Sequence, residues 1–248
     1  MAIDAALSRL FNGLKTRLPG GLAHTAFVLT GDHGIPPDPG YLHAHRIPTG
    51  YIDYKALEQV MERHLAHRFG PVSPLRWIAH NHRLGFSLNG SVLTRRRVKL
   101  TTVLAAMTKK LLSTPEIAHV FTIEDADKRR YPPGKWGRQT RNSYYRARSP
   151  DLLLIPAPFI LPKGDRITHV SGYNYDTTVP LAFKGRFFRR AVHARKPEIT
   201  SIAPTLALLL GIVPPALSEG KLLHEAFTRP PAKRPSPPKK LQRKSRGR

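Results

Sequence analysis

Thr25-Ala26-Phe27-Val28-Leu29-Thr30-Gly31-Asp32-His33-Gly34 joins a short apolar run to a polar, glycine-bracketed turn. Ala26 to Leu29 are strand formers without a polar break, the pattern of a buried strand in a parallel sheet. Ligands of open α/β sheets gather at the carboxyl ends of such strands, where Asp32 and His33 stand. A carboxylate and an imidazole side by side can both turn towards one metal ion. The competing reading is a plain tight turn, since Gly and Asp favour turns without any ligand.

Upstream, residues 2–18 read as an amphipathic helix. Ile3, Leu7, Leu10, Leu14 and Leu18 recur at helical spacing, Asp4 sits in the first turn, and Pro19-Gly20-Gly21 ends it. The start carries no signal-peptide pattern. The longest apolar run, 206–213, is too short to span a bilayer. The chain has 248 residues, enough for one large domain or two. Its 41 Lys and Arg against 16 Asp and Glu give a net charge of +25, which favours anionic partners: nucleic acid, acidic lipid or phosphate esters. No cysteine is present, so a zinc site would have to use His and carboxylate.

Downstream, Ile35-Pro36-Pro37-Asp38-Pro39-Gly40 is a stiff loop, followed by His43 and His45, which read as solvated. Asp53 caps a helix over 54–67 with Leu57, Val60, Met61 and Leu65 on one face and His64 and His67 on the surface. Residues 77–89 read as a β-hairpin turning near Asn81-His82-Arg83; the string His80-Asn81-His82 is too short to identify a nuclease. Residues 92–112 read as one basic helix. Residues 120–123 read as a strand, followed by Glu124, Asp125 and Asp127, a loose acidic cluster. Residues 128–148 interleave basic and aromatic side chains. They fit a grip on single-stranded nucleic acid, a lid over an anionic pocket or an exposed insertion equally well, with Arg138, Arg141 and Arg148 as candidate contacts. Residues 151–155 form a second strand.

The second informative stretch is 168–180, where His169 precedes a Gly- and Tyr-rich loop containing Asp176. A strand over 179–183 follows. Then comes a helix capped by Thr200 or Ser201, running through Leu210 and stopped by Gly211. A last short helix ends near Phe227. The remaining 229–248 form a Pro, Lys and Arg tail, predicted to be disordered.

Three of these stretches resemble the alkaline phosphatase superfamily, in its type I phosphodiesterase/nucleotide pyrophosphatase branch. LTGDHGIPPDPGYL (29–42), with IPTGYID (47–53), resembles the segment carrying that family's late Asp-His ligand pair. THVSGYNYDTTVPLAFKG (168–185) resembles its last metal-ligand motif, and ITSIAPTLALLLGIVPPALSEGKLL (199–223) its closing segment. The resemblance implies an α/β fold with a mostly parallel sheet flanked by helices, and two zinc ions. It makes Asp32 and His33 ligands of the zinc that also holds the nucleophile, His169 a ligand of the partner zinc, and Asp176 a residue behind the metal ligands. This sequence departs from the family at Val170, where Gly is usual, and at Ser201, where Asp is common.

The family's nucleophile and early ligands have no counterpart here. The resemblance therefore implies the carboxyl-terminal part of the fold over 1–228, with a basic insertion at about 75–150, a phosphate ester as substrate, and relatives that are commonly exported. Three functional readings follow. One is a truncated or split phosphoric ester hydrolase, inactive alone. The second is a degenerate relative binding nucleic acid or other anions through 128–148 and the tail. The third is a hydrolase built on Glu124, Asp125, Asp127 and His119.

Overall fold

The computed structural model describes residues 2–131, 134–165, 168–169 and 171–228. Val170 and the tail expected over 229–248 lie outside the described residues. Along the chain run α1 (Ala2–Arg17), β1 (Phe27–Thr30), α2 (Pro39–Ala44), β2 (Gly50–Ile52), α3 (Tyr54–Phe69), β3 (Ile78–Asn81) and β4 (Gly85–Leu88). They are followed by α4 (Gly90–Arg96), α5 (Leu100–Leu111), β5 (Ile117–Thr122), α6 (Ile123–Asp127), α7 (Gly134–Ser143) and β6 (Leu152–Pro156). The series closes with β7 (Ile160–Pro162), α8 (Asn174–Thr177), β8 (Leu181–Lys184) and α9 (Ile202–Leu209). The described residues divide into two compact units, 32–178 and the pair of segments 2–31 and 179–228. The basic stretch at 75–150 lies wholly inside the first of these.

The fold is α/β, as expected, but its described sheets are small and mostly antiparallel. Strand order in the largest is β3-β4-β6-β5, with every pair antiparallel; β2 and β7 form a parallel pair. β1 was expected to be a buried parallel strand. It pairs antiparallel with β8 and is half-buried at Phe27 and Val28 and exposed at Leu29 and Thr30. An apolar run specifies burial potential; it does not specify which neighbour covers each face.

In the 32–178 unit the sheet carries helices α3 and α5. α3 packs on β3 and on α5, and α5 packs on β5. Met61, Leu65, Met107 and Leu111 are fully buried between them, with Trp77, Phe86 and Leu152 from the sheet side. Asp53 caps α3 as expected, its Oδ1 accepting from the backbone N–H groups of Lys55 and Ala56. Glu62 ties that helix to the sheet by accepting from the backbone N–H groups of Trp77 and Ile78 at 3.1 and 2.8 Å. The hairpin is present as β3 and β4. The single basic helix expected over 92–112 is two helices, α4 and α5. The break falls at Arg97, whose φ of 53° is left-handed, and at Lys99, whose backbone is extended.

Tyr54 presents a test of this core. Its side chain is buried, its hydroxyl has no hydrogen-bond partner among the described residues, and burial pushes the phenol up to about 12. A folded-state value above the ordinary 10 favours the neutral form. That contribution to stability is complete below about pH 10 and is lost as pH rises towards 12. Tyr54→Phe keeps the ring and removes the buried hydroxyl. We expect it to change stability by no more than about 1 kcal/mol at pH 7 and to flatten the fall of the thermal midpoint between pH 10 and 12. An unchanged alkaline fall in the variant would refute this.

In the second unit, β1 and β8 pair alone and α9 is anchored by Thr205. The Thr205 hydroxyl donates to the Ser201 carbonyl at 2.6 Å and accepts from the Leu223 N–H at 3.1 Å. Ser201 stands at the N-cap of α9, as expected, but its buried side chain makes no cap hydrogen bond. The stripe expected on α1 exists but is only partly covered: Leu7 and Leu14 are half-buried, while Ile3 is 72% and Leu10 49% exposed.

Candidate functional site

The two stretches singled out from the sequence meet. Gly34 donates its N–H to the Asp176 carbonyl at 2.8 Å. A Cβ at Gly34 would fall 2.1 Å from the Tyr175 carbonyl oxygen, so only glycine allows this approach. The approach places the His33 ring on the His169 ring, stacked with centroids 3.4 Å apart and planes 18° apart. Residues more than a hundred positions apart in sequence thus form one imidazole pair.

His33 is oriented from below. Its Nδ1 is 2.8 Å from the Gly34 carbonyl, which assigns the proton to Nδ1 and leaves the Nε2 lone pair available. Nε2 lies 3.6 Å from Asp32 Oδ2. Asp32 is exposed, and hydrogen bonds from its own backbone N–H and that of His33 hold its carboxyl below the usual carboxylate range, with the neighbouring His33 ring adding to the effect.

Asp176 is buried and braces the loop after His169. Its Oδ2 accepts from the Ser171 backbone N–H at 2.9 Å and from the Ser171 hydroxyl at 2.6 Å. The sequence placed Asp176 behind the metal ligands; Ser171, the partner that defines its role, was not singled out. Asp176→Ala leaves two half-buried Ser171 donors without their acceptor, so we expect a loss of about 2 kcal/mol in urea denaturation, whereas Asp176→Asn keeps an acceptor and loses about 1 kcal/mol. Equal losses would sink the assignment.

The helix α7 docks on this loop. Lys135 Nζ donates to Asn174 Oδ1 at 2.8 Å and Thr177 Oγ1 at 3.0 Å, and Trp136 meets Tyr173 edge-on at 4.7 Å. Gln139 donates to the Gly172 carbonyl at 3.4 Å. Arg138 and Arg141 lie on another side of α7 and are exposed. Arg148 is exposed and lies over the Tyr145 ring at 4.6 Å. The contacts of the segment with the loop are thus made by Lys135, Trp136 and Gln139, which the sequence reading did not select.

The constellation of Glu124, Asp125, Asp127 and His119 is not assembled. Asp125 closes a capping box with Thr122 at the start of α6 and pairs with Arg130 at 3.0 Å. Glu124 pairs with Lys128, and Asp127 with Arg146 at 2.6 Å. These carboxylates are neutralised by neighbouring cations. Among the described residues His80 and His82 likewise gather no acidic partner; His82 Nε2 is 2.9 Å from the Ser87 hydroxyl.

No protein-family model matches the chain. It is 26% identical over 231 residues to the alkaline phosphatase PafA of Elizabethkingia meningoseptica, covering 92% of this chain and 41% of that protein. A protein of Myroides odoratus named as a calcium-transporting ATPase is 28% identical over 209 residues, covering 84% of this chain and 38% of that protein. The crystal structure of wild-type PafA superposes with a TM-score of 0.79 at 25% identity over 90% of this chain and 42% of that one. Over most of its length the chain is similar to members of the alkaline phosphatase superfamily. It carries part of that fold and spans about two fifths of the length of the relatives it matches. The superfamily is one of phosphoric ester hydrolases. No helix among the described residues is long and apolar enough to cross a membrane.

For a metal ion the donors present are few. Among the described residues no three His, Asp or Glu side chains gather at one point. Asp32 Oδ2 and His33 Nε2, at 3.6 Å, come close to the roughly 3.3 Å edge between two ligands of a tetrahedral zinc. The His169 ring is parallel to His33, so its in-plane lone pair cannot converge on the same point. It fits a second ion beside the first, and the 3.4 Å ring spacing approaches the roughly 3.5–4 Å spacing of two-metal sites. The residues therefore fit a partial two-ion arrangement and do not fit a closed site for one.

Proposed function

We propose that this chain is part of a metal-dependent phosphoric ester hydrolase, with Asp32 and His33 as ligands of one zinc ion and His169 as a ligand of its neighbour. The observation that carries the reading is the stacked His33–His169 pair with the Asp32 carboxylate at its edge. Two imidazoles and a carboxylate are donors suited to zinc. Bound there, such ions lower the pKa of a coordinated hydroxyl or water and offset charge on phosphoryl oxygens. The chain's own groups do the positioning: the Gly34 carbonyl sets the His33 tautomer, and Asp176 and Ser171 set the loop after His169. Three donors leave both ions short of four, so the remaining ligands and the nucleophile come from other groups. This chain alone is then expected to turn over no phosphate monoester or diester.

The reading is tested by titrating zinc into the purified chain against a chromophoric chelator, with nitrophenyl phosphate turnover measured in parallel. We expect micromolar or weaker zinc binding that His33→Ala reduces at least tenfold and His169→Ala reduces less, without turnover. Binding equally strong in the His33→Ala/His169→Ala double variant would refute the ligand assignment. Turnover by the chain alone would refute the claim that it lacks a complete site.

A further inference from the structure

The 53 residues from Arg63 through Pro115 contain no Asp or Glu and ten Lys or Arg. Two of these cations are matched from outside the segment: Arg76 by Glu58 and Glu62, and Arg83 by Asp165. Arg63, Arg68, Arg95, Arg96, Arg97 and Lys99 are all exposed and have no carboxylate partner among the described residues. The fold brings the ends of the two helices that carry most of them together. Arg63 and Arg68 lie on the carboxyl-terminal part of α3, and Arg95 to Arg97 close α4. The two ends touch, because a Cβ at Gly70, which caps α3, would lie 3.0 Å from the Arg96 guanidinium.

Helix ends account for part of this charge. Each carboxyl terminus carries roughly half a negative charge, so the ends of α3 and α4 together offset about one cation. Six cations remain far in excess, and holding them together unpaired costs electrostatic free energy that a bound polyanion would return. Five of the six are arginines, whose planar forks suit phosphate oxygens. No exposed Phe, Tyr or Trp lies in the segment; Trp77 and Phe86 are fully buried and Phe69 is half-buried. A single strand gripped through its bases needs exposed rings on which to stack, and membrane insertion needs exposed apolar anchors within the patch. A stiff double helix needs only cations that reach its phosphates.

We propose that the face formed by the ends of α3 and α4 binds the phosphate backbone of double-stranded nucleic acid, without reading its sequence. This surface shares no residue with the Asp32–His33–His169 site, and the proposal does not rest on that site.

The test is fluorescence anisotropy with a labelled duplex of about 20 base pairs, titrated with the full chain at several salt concentrations. Arg95→Gln/Arg96→Gln/Arg97→Gln is compared with Arg9→Gln/Lys15→Gln/Arg17→Gln on α1, which removes the same charge elsewhere. We expect the α4 triple to bind at least tenfold more weakly and to lower the slope of log affinity against log salt by about 3, one per phosphate contact. The α1 triple should stay within about threefold of the parent. Arg63→Gln/Arg68→Gln, on a different helix, should weaken binding by itself and covers the case in which the α4 triple misfolds. Equal weakening by the α1 and α4 triples would overturn the proposal, as would binding to phosphatidylserine vesicles but not to duplex, or tighter binding to a 20-nucleotide single strand.

Discussion

Gly34→Ala is expected to lower the stability of the chain by about 3 kcal/mol and to abolish the pairing of His33 with His169. The reason is steric and local. The added methyl would fall 2.1 Å from the Tyr175 carbonyl oxygen and 3.0 Å from that of Thr178, both backbone atoms that no rotamer change can move. Overpacking of this kind costs about 1–3 kcal/mol, and here it also breaks the Gly34 N–H bond to the Asp176 carbonyl, worth about 1 kcal/mol more. For a chain of this size the thermal midpoint should drop by roughly 6–12 °C. Gly90→Ala is the control: nothing lies within 4 Å of a Cβ there, and the midpoint should move by no more than about 3 °C. Zinc affinity should fall in the Gly34 variant by as much as in His33→Ala, although every ligand is still present. If the two glycine variants melt together, the close approach of the two loops is not what holds the site.

That dependence explains how much of the site was legible in the sequence. Asp32, His33, His169 and Asp176 could be picked out because their motifs are short and local: a strand ending in Gly-Asp-His-Gly, and a His before a Tyr-Asp pair. The way they meet depends on the Gly34 approach and on the Ser171 bonds to Asp176, and neither has a periodic or compositional signature. Element identity was legible wherever local chemistry decides it, as at Asp53, whose side chain caps α3, and in the β3–β4 hairpin. It failed where tertiary context decides. The strand β1 reads as buried and parallel because Phe27, Val28 and Leu29 are apolar, yet its partner is β8, more than 150 residues later and antiparallel. The helix expected over 92–112 breaks because Arg97 takes a left-handed conformation, which a run of good helix formers does not announce. The acidic cluster looked available only because Lys128, Arg130 and Arg146, which neutralise it, cannot be assigned to it without coordinates.

Backbone amides of α1, β1 and β8 are expected to exchange with solvent at least a thousandfold faster than those of α5 and β6. Among the described residues, twenty-three of the buried apolar side chains lie in 32–178 and four, Phe188, Ala207, Leu223 and Phe227, in the other unit. Most of the apolar burial that opposes unfolding therefore belongs to one unit. The other contains a two-stranded sheet, a construction that is marginal alone, and a helix with no fully buried residue. Several of its other apolar side chains are exposed: Leu210 at 67%, Val213 at 74% and Leu217 at 94%. A thousandfold difference in exchange corresponds to an opening free energy about 4 kcal/mol lower, within the range that separates frayed segments from a core. Asp32 and His33 follow β1 directly in the chain, so opening of that strand loosens one end of the ligand pair. Zinc that binds Asp32 and His33 must then slow exchange at Gly34 more than at α1, because the metal clamps the turn and leaves the amino-terminal helix as uncovered as before. Equal protection of α1 and α5 in the metal-free chain would show that the exposed stripe of Ile3 and Leu10 is covered in solution, and the stability difference between the units would be refuted.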